Sequence, residues 1–273
     1  MDASEDKSVW NRWYVVGTPE DIRRQSRTRT QLLGREIDLT IHLTRISASC
    51  EGRKLAVTER LGYVWVTLGE PDGWPQPLPE YYEVDRIVMN IWSTPLKCSG
   101  LRIIDNVVDN SHFAFVHPGI LGDRDHLDQV TPAPYVDDDG VLWSCSKKAW
   151  LPLTQEVQEY TYRISDPYSV VLLIHNPGNP SRYNYLGIFA QPVDEENFIA
   201  HKSLAWIQED WMDARQLRSD QQWISVQDKY VLEKHAPKKL PLTDLEISVS
   251  VDATSLAYRK WLRDLDVRYG AIT

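Results

Sequence analysis

Metal-binding cysteine pairs are missing from this sequence. Its three cysteines, Cys50, Cys98 and Cys145, stand far apart, and no Cys-x-x-Cys or Cys-x-His pair occurs. The odd number and wide spacing argue against a disulfide framework, and no thiolate metal site is readable. No apolar run is long enough to span a bilayer. Residues Met1 to Ser8 are polar and acidic, with no apolar signal core, so a cytoplasmic location is expected. Positive charge is in deficit. The net charge of −9 argues against nonspecific binding to nucleic acid or to an anionic membrane. Phenylalanine is scarce at four, yet there are eleven Trp and thirteen Tyr. Such rings fill a core or wall a pocket for a flat ligand.

The pattern changes along the 273 residues. Trp13–Val16, Gln31–Leu33, Ile37–Ile41, Lys54–Val57 and Tyr63–Leu68 are apolar or alternating runs that read as short strands. Pro71, Pro75, Pro77 and Pro79 then mark a linker. Ile103–Val116 has apolar residues at helical spacing, ended by Pro118-Gly119. A second group of strands is expected at Val141–Trp143, Val157–Tyr162, Val170–His175, Tyr183–Phe189 and Ile199–Ala205, with a turn at Asn176–Pro180. Residues 210–236 suit a helix, as does Asp252–Leu265, with an apolar stripe of Leu256, Trp261, Leu262 and Leu265. A small β lobe followed by a helix, a sheet and further helices is an α+β order.

The chemistry-bearing segment runs from Asp105 to Gly119. Asp109, His112 and His117 lie within nine residues on a predicted helix. Neutral imidazoles suit divalent iron, and a further carboxylate would complete a facial triad with positions open for O₂. Asp109 and His112 are three apart and would share a helix face. His112 and His117 are five apart, so the helix must loosen between them if both bind one metal. The plainer alternative is a pair of capped or core histidines beside a turn.

Asn106, Asp109, His112, His117, Pro118 and Gly119 closely resemble the iron-binding stretch of the Rieske non-haem iron oxygenases, an Asn-x-x-Asp-x-x-His-x-x-x-x-His run followed by Pro-Gly. Trp13-Tyr-Val-Val, Leu32-Leu-Gly34 and Gly62–Gly69 resemble the strands that frame the family's N-terminal lobe. Asp228–Glu233 resembles its late ligand-bearing helix, and Tyr258–Leu262 its ending. The resemblance implies mononuclear Fe(2+) held by His112, His117 and Asp228, with Asp220 and Glu233 as the next carboxylates to consider. It implies catalytic roles for Asn106 and Asp109, and it leaves the role of Asp105 open. His235, two helical turns beyond Asp228, occupies a position that faces the substrate in the family.

The departure from the family is an insert. Between the framing strands, relatives carry a Cys-x-His and a Cys-x-x-His. Here that interval holds only His42 and Cys50, which cannot supply four ligands. The expected fold class is therefore α+β with a truncated N-terminal β lobe, residues 1–70, lacking the Rieske cluster insert. A linker at 71–84 and a helix-grip catalytic domain at 85–273, an antiparallel sheet with long helices, would follow.

Residues His112–Gly119 and Tyr258–Leu262 are most similar to the bacterial methylxanthine N-demethylase group. Membership implies an oxygenase that uses O₂ to hydroxylate an N-methyl carbon of a purine, releasing formaldehyde, with 7-methylxanthine going to xanthine. It also implies electrons drawn from NADH through a Rieske-bearing reductase, and a mixed oligomer with a homologous Rieske-bearing demethylase subunit. Two other readings stand beside it: a demethylase or hydroxylase of another flat heterocycle, and a structural subunit of a hetero-oligomeric oxygenase. Metal analysis separates the last from the others. The purified chain is expected to hold mononuclear iron without acid-labile sulfide; stoichiometric sulfide would overturn the reading of the missing insert, and absence of iron would favour the structural subunit.

Overall fold

The computed structural model describes residues 1–25, 27–71, 73–75, 78–127, 133–152, 154–176, 179–209 and 213–273. The first antiparallel sheet is made of β1 (Tyr14–Gly17), β2 (Arg27–Leu32), β3 (Arg35–His42), β4 (Arg45–Cys50), β5 (Arg53–Arg60) and β6 (Tyr63–Thr67), in the order β1-β6-β5-β4-β3-β2. Helices α1 (Lys7–Trp10) and α2 (Pro19–Gln25) flank β1. The hairpins turn on two residues. In Leu33-Gly34, Glu51-Gly52 and Leu61-Gly62 both residues have positive φ, the twist that suits a tight hairpin.

The second sheet contains β7 (Arg86–Leu96), β8 (Tyr135–Val136), β9 (Leu142–Trp143), β10 (Lys147–Leu151), β11 (Glu156–Asp166), β12 (Ser169–Asn176), β13 (Asn179–Pro192) and β14 (Phe198–Ile207). Its order is β7-β14-β13-β12-β11-β9-β8, with β10 paired to β11. Helix α3 (Gly100–Val108) and the single turn α4 (Phe113–Val116) lie between β7 and β8. Helix α5 (Ala214–Leu232), β15 (Leu240–Pro241), α6 (Ala253–Asp264) and β16 (Ala271–Ile272) complete the chain. This is the α+β arrangement that the element order predicts.

Several sequence expectations need correction. Residues 86–96 form the 11-residue strand β7, which the sequence pattern does not reveal, nor does it reveal β4 and β10. Asn90 and Pro95 weaken the strand pattern of β7, and its burial alternates irregularly. The apolar stripe of α6 excludes Leu256, which is 43% exposed. The buried side chains there are Thr254, Ser255, Tyr258, Trp261 and Leu262. Residues 72 and 76–77 of the Pro-rich stretch, 177–178 of the expected turn, and 210–212 of the expected helix lie outside the described residues.

One apolar core joins both sheets. Ile37, Leu39 and Val66 belong to the same cluster as Leu172, Ile188 and Leu204, with Leu101 and Ile104 of α3 and Tyr258 and Leu262 of α6. Leu78, from the Pro-rich stretch, is buried with Val15, Trp65, Tyr185 and Phe189. Polar ties reinforce the join. Buried Asp6 accepts from the backbone N–H groups of Arg268 and Tyr269, and Leu33 and Gly34 donate to the carbonyls of Pro192 and Val193.

Asp105 acquires a structural role. Its carboxylate takes Ser255 Oγ at 2.5 Å and Arg259 through Nε at 3.1 Å and Nη2 at 2.7 Å, tying α3 to α6. Arg259 and the buried Arg102 also meet Glu246. Removing one partner of such a buried pair leaves an uncompensated charge. Asp105→Ala is expected to cost on the order of 3 kcal/mol of stability, read as a lowered urea midpoint; an unchanged midpoint would show that Glu246 alone satisfies Arg259.

Candidate metal centre

The helix expected at Ile103–Val116 breaks at Asp109. Helix α3 ends at Val108, and Asp109 has φ −91° and ψ 111°, an extended conformation. The Asp109 side chain makes the break: its Oδ1 accepts from the backbone N–H of Ser111 at 2.7 Å and from Ser111 Oγ at 2.5 Å, a local turn that competes with helix. Buried Lys147 donates to the Val108 carbonyl at 2.9 Å, satisfying an acceptor at the helix end. The chain restarts as α4, with Val116 N–H bonded to the His112 carbonyl and His117 N–H to that of Phe113. Asp109 and His112 therefore do not share a helix face. The loosening lies before His112 rather than between the histidines.

This restart turns both imidazoles toward α5. His117 Nε2 is 3.0 Å from Asp228 Oδ1, and His112 Nε2 is 3.5 Å from the same oxygen. The ligand atoms of the three residues all lie within 4.8 Å of one another. Among the described residues no other group of three metal-ligating side chains comes together. Asp220 instead accepts from Gln216, and Glu233 pairs with Lys229. His117 is 1% exposed, and its Nδ1 meets Gln227 Oε1 at 2.8 Å. An amide oxygen there keeps the proton on Nδ1 and leaves Nε2 free to coordinate. Sequence reasoning missed Gln227; its only signal is adjacency to Asp228 on a polar helix.

The electrostatics draw a cation. Burial works against the charge on Asp228, but His112 and His117 outweigh it and hold the carboxyl far below the ordinary carboxylate range. Burial likewise opposes protonation of His112, yet Asp109 and Asp228 push its pKa up to about 9. Asp109 Oδ2 lies 3.6 Å from His112 Nδ1, too far for a hydrogen bond, and that buried nitrogen has no other partner. Burial disfavours the Asp109 carboxylate, while His112 and Ser111 hold its pKa down. Two imidazole nitrogens and one carboxylate oxygen suit divalent iron and leave coordination positions open.

The site opens into a cavity of about 580 Å³. Strand register builds its wall. Tyr162, Leu172 and Leu186 stand opposite one another across β11, β12 and β13, as do Tyr160, Ile174 and Asn184. Asn106, Val107, Ile120, Trp206 and Ile224 add walls from other elements, and Lys202 and Gln221 bring polar groups. The buried Oδ1 of Asn106 has no protein partner. The size and mostly apolar lining suit a small flat molecule. Most of the aromatic surplus lies elsewhere: Trp65, Tyr14, Tyr63, Tyr168 and Tyr258 are fully buried core rings.

His235 is a correction. It does not line the cavity. Helix α5 ends at Leu232, so two helical turns counted from Asp228 do not carry to residue 235. Its ring lies in a polar setting where burial, and then Arg102, push its pKa down. His42 ends β3 opposite Arg45 of β4, and Cys50 ends β4 opposite Arg53 of β5.

Comparison with known proteins accords with this geometry. Residues 96–267 match the vanillate O-demethylase oxygenase C-terminal domain. The chain is 34% identical over 278 residues to the probable methylxanthine N7-demethylase NdmC of Pseudomonas sp. (strain TJI-51), covering 98% of each. Its fold resembles NdmB of Pseudomonas putida CBB5, with a TM-score of 0.78 at 22% identity over 93% of this chain and 90% of that one. It also resembles NdmA of the same strain, solved with caffeine, with a TM-score of 0.80 at 18% identity over 95% and 91%. The chain belongs to the Rieske-type oxygenases and is a non-haem iron oxygenase catalytic component. No helix among the described residues is long and apolar enough to cross a membrane.

Anaerobic titration with ferrous iron tests the ligand assignment. His112→Ala, His117→Ala and Asp228→Ala are each expected to abolish stoichiometric binding, and Gln227→Leu to weaken it about 10- to 100-fold. Tight binding by Asp228→Ala would reassign the third ligand.

Proposed function

We propose that this chain removes an N-methyl group from a methylxanthine, converting 7-methylxanthine to xanthine and formaldehyde. The observation that carries the proposal is the meeting of His112, His117 and Asp228 at the wall of a cavity sized for one flat ring system. The choice of ring rests on the relative whose name states N7-demethylation, similar over 98% of both chains.

His112, His117 and Asp228 would hold Fe(2+), which when bound supplies activation of O₂. The net change consumes O₂, two electrons and two protons, turning N–CH₃ into N–CH₂OH and releasing water. The N-hydroxymethyl group then loses formaldehyde and leaves N–H. The protein's own contribution is placement and exclusion of water. Leu172, Ile174, Leu186 and Ile188 present an apolar floor to the ring, and Val107 and Ile224 close over it near the ligands. Gln227 fixes the His117 ring. Asp109 stands beside His112, 3.6 Å from its Nδ1, and accepts from the Ser111 hydroxyl, which also lies 3.1 Å from Asp252 at the start of α6. That chain of polar groups is the proposed link between an electron donor's docking side and the metal ligands.

The electrons come, on this reading, from a cluster outside the chain. A homologous Rieske-bearing subunit in a mixed oligomer and a Rieske-bearing reductase fed by NADH are the proposed partners. Reconstitution with NADH, 7-methylxanthine and the partner proteins tests this. Formaldehyde release is expected only when a Rieske-bearing protein is added. Sustained release with a reductase that lacks a Rieske domain, and no other cluster protein, would overturn the borrowed-cluster reading. No release under any combination, with iron bound, would overturn the substrate.

A further inference from the structure

Among the described residues, Lys202 is the one cavity-lining lysine, and it is only 4% exposed. It sits on β14 opposite Ile188 of β13 and Trp92 of β7, in a strand whose neighbours are almost all buried. Its Nζ donates to the Gln221 carbonyl at 3.2 Å and to Ser225 Oγ at 3.0 Å, which lie on α5 about two turns and one turn before Asp228 respectively. No salt bridge joins it to a carboxylate among the described residues. An ammonium has three N–H donors, and these two bonds leave one for the cavity.

A strut between sheet and helix does not require a charge. A neutral side chain could bond the same carbonyl without the desolvation cost of burying a cation. That cost is visible: burial pushes the Lys202 pKa down to about 8, with Asp228 the opposing charge. Such a group gains most from a ligand atom that carries negative charge. Purine diones offer one. A ring nitrogen that keeps its hydrogen between carbonyls is acidic, and its deprotonation spreads charge onto the neighbouring oxygens. Full N-methylation removes that option while leaving the ring's shape and apolar faces.

We propose that Lys202 orients the substrate by donating its free N–H to a charged or electron-rich ring oxygen or nitrogen, so that the cavity selects flat rings retaining an acidic N–H over fully N-methylated ones. This rests on the cavity being the substrate site of the function proposed above. Lys202 is thus a specificity-determining residue on the strand wall of the cavity, beside α5. The sheet's register fixes its height and the two bonds to α5 fix its direction, so a ring held there is turned by one defined edge.

The test is binding rather than turnover, by calorimetry on the full purified chain under nitrogen. Two ligand pairs are used: 7-methylxanthine with caffeine, and benzoate with its neutral isostere benzamide. The wild type is expected to prefer the first of each pair. Lys202→Met should lower affinity for the first of each pair about tenfold to a hundredfold, leave the second unchanged, and be rescued in part by Lys202→Arg. Equal losses for both members, or no loss, would overturn the Lys202 assignment while binding of the purines kept the substrate reading alive. Binding of benzoate that depends on Lys202, with neither purine bound by the wild type, would instead remove the purine reading and keep the assignment. No Lys202-dependent preference in either pair, including no binding at all, overturns it.

Discussion

The position of helix α5 governs the site, because α5 brings Asp228 to the two histidines. Little apolar packing holds that helix. Its buried side chains are Ile224 and Leu232. Hydrogen bonds to the edge strand β7 and its exit hold it instead. Gln222 Nε2 donates to the Ile91 carbonyl at 3.0 Å, Lys229 to the Pro95 carbonyl at 2.7 Å, and Lys97 N–H to Glu233 at 3.1 Å. Ile91 falls at the register shift where β7 slips against Lys202 and Ser203 of β14. A bulge leaves a residue unpaired in the ladder, and here Gln222 supplies the missing donor. A helix held by directional bonds sits at one height along the sheet. Apolar packing alone would allow it to slide.

The opposite half of the site depends on a helix stopped at the right residue. If α3 ran on through Ser111, His112 and His117 would project about 140° apart around its axis. The Asp109 turn and the Lys147 bond to Val108 end α3, and the single turn that follows swings both rings toward Asp228. The α3 axis itself is anchored from behind by Asp105 on Arg259 and by Arg102 on Glu246 and the carbonyls of Pro237 and Lys239. Two carboxylates three and seven positions before His112 thus do different work: Asp105 fixes the helix, and Asp109 ends it.

This division explains what was legible in the sequence. The donors themselves could be read, because a compact Asn-Asp-His-His run and a late carboxylate resemble a family's ligand set residue by residue. The α+β order could be read from where alternation gives way to helical spacing. The break at Asp109 could not, since apolar residues continue at helical spacing across it and only the side-chain turn shows the stop. Strand β7 was hidden because its inward residues are interrupted by Asn90 and Pro95. His235 failed for a related reason: counting two turns from Asp228 assumes a helix that ends three residues earlier. Lys202 carried a signal that went unused, a lone cation in the middle of the apolar run Phe198–Ile207.

The N-terminal sheet has a use that does not depend on carrying a cluster. It backs the wall of the cavity. Tyr63 of β6 donates to the Lys202 carbonyl at 2.9 Å and sets its ring edge-on to His201, 5.5 Å between centroids. His201 points away from the cavity, between Ser93 Oγ at 2.8 Å and Gln191 Oε1 at 3.0 Å. Burial pushes its pKa down to about 3, so it stays neutral and bridges the two by hydrogen bonds alone. Gln191 then donates to Thr30 Oγ1 and the Gln31 carbonyl of β2. On β14, alternation places His201 against this support and Lys202 on the cavity side. Removing the lobe would take away the donor to the Lys202 carbonyl and both acceptors of the Gln191 amide N–H groups, at a cost borne by the strands that shape the pocket.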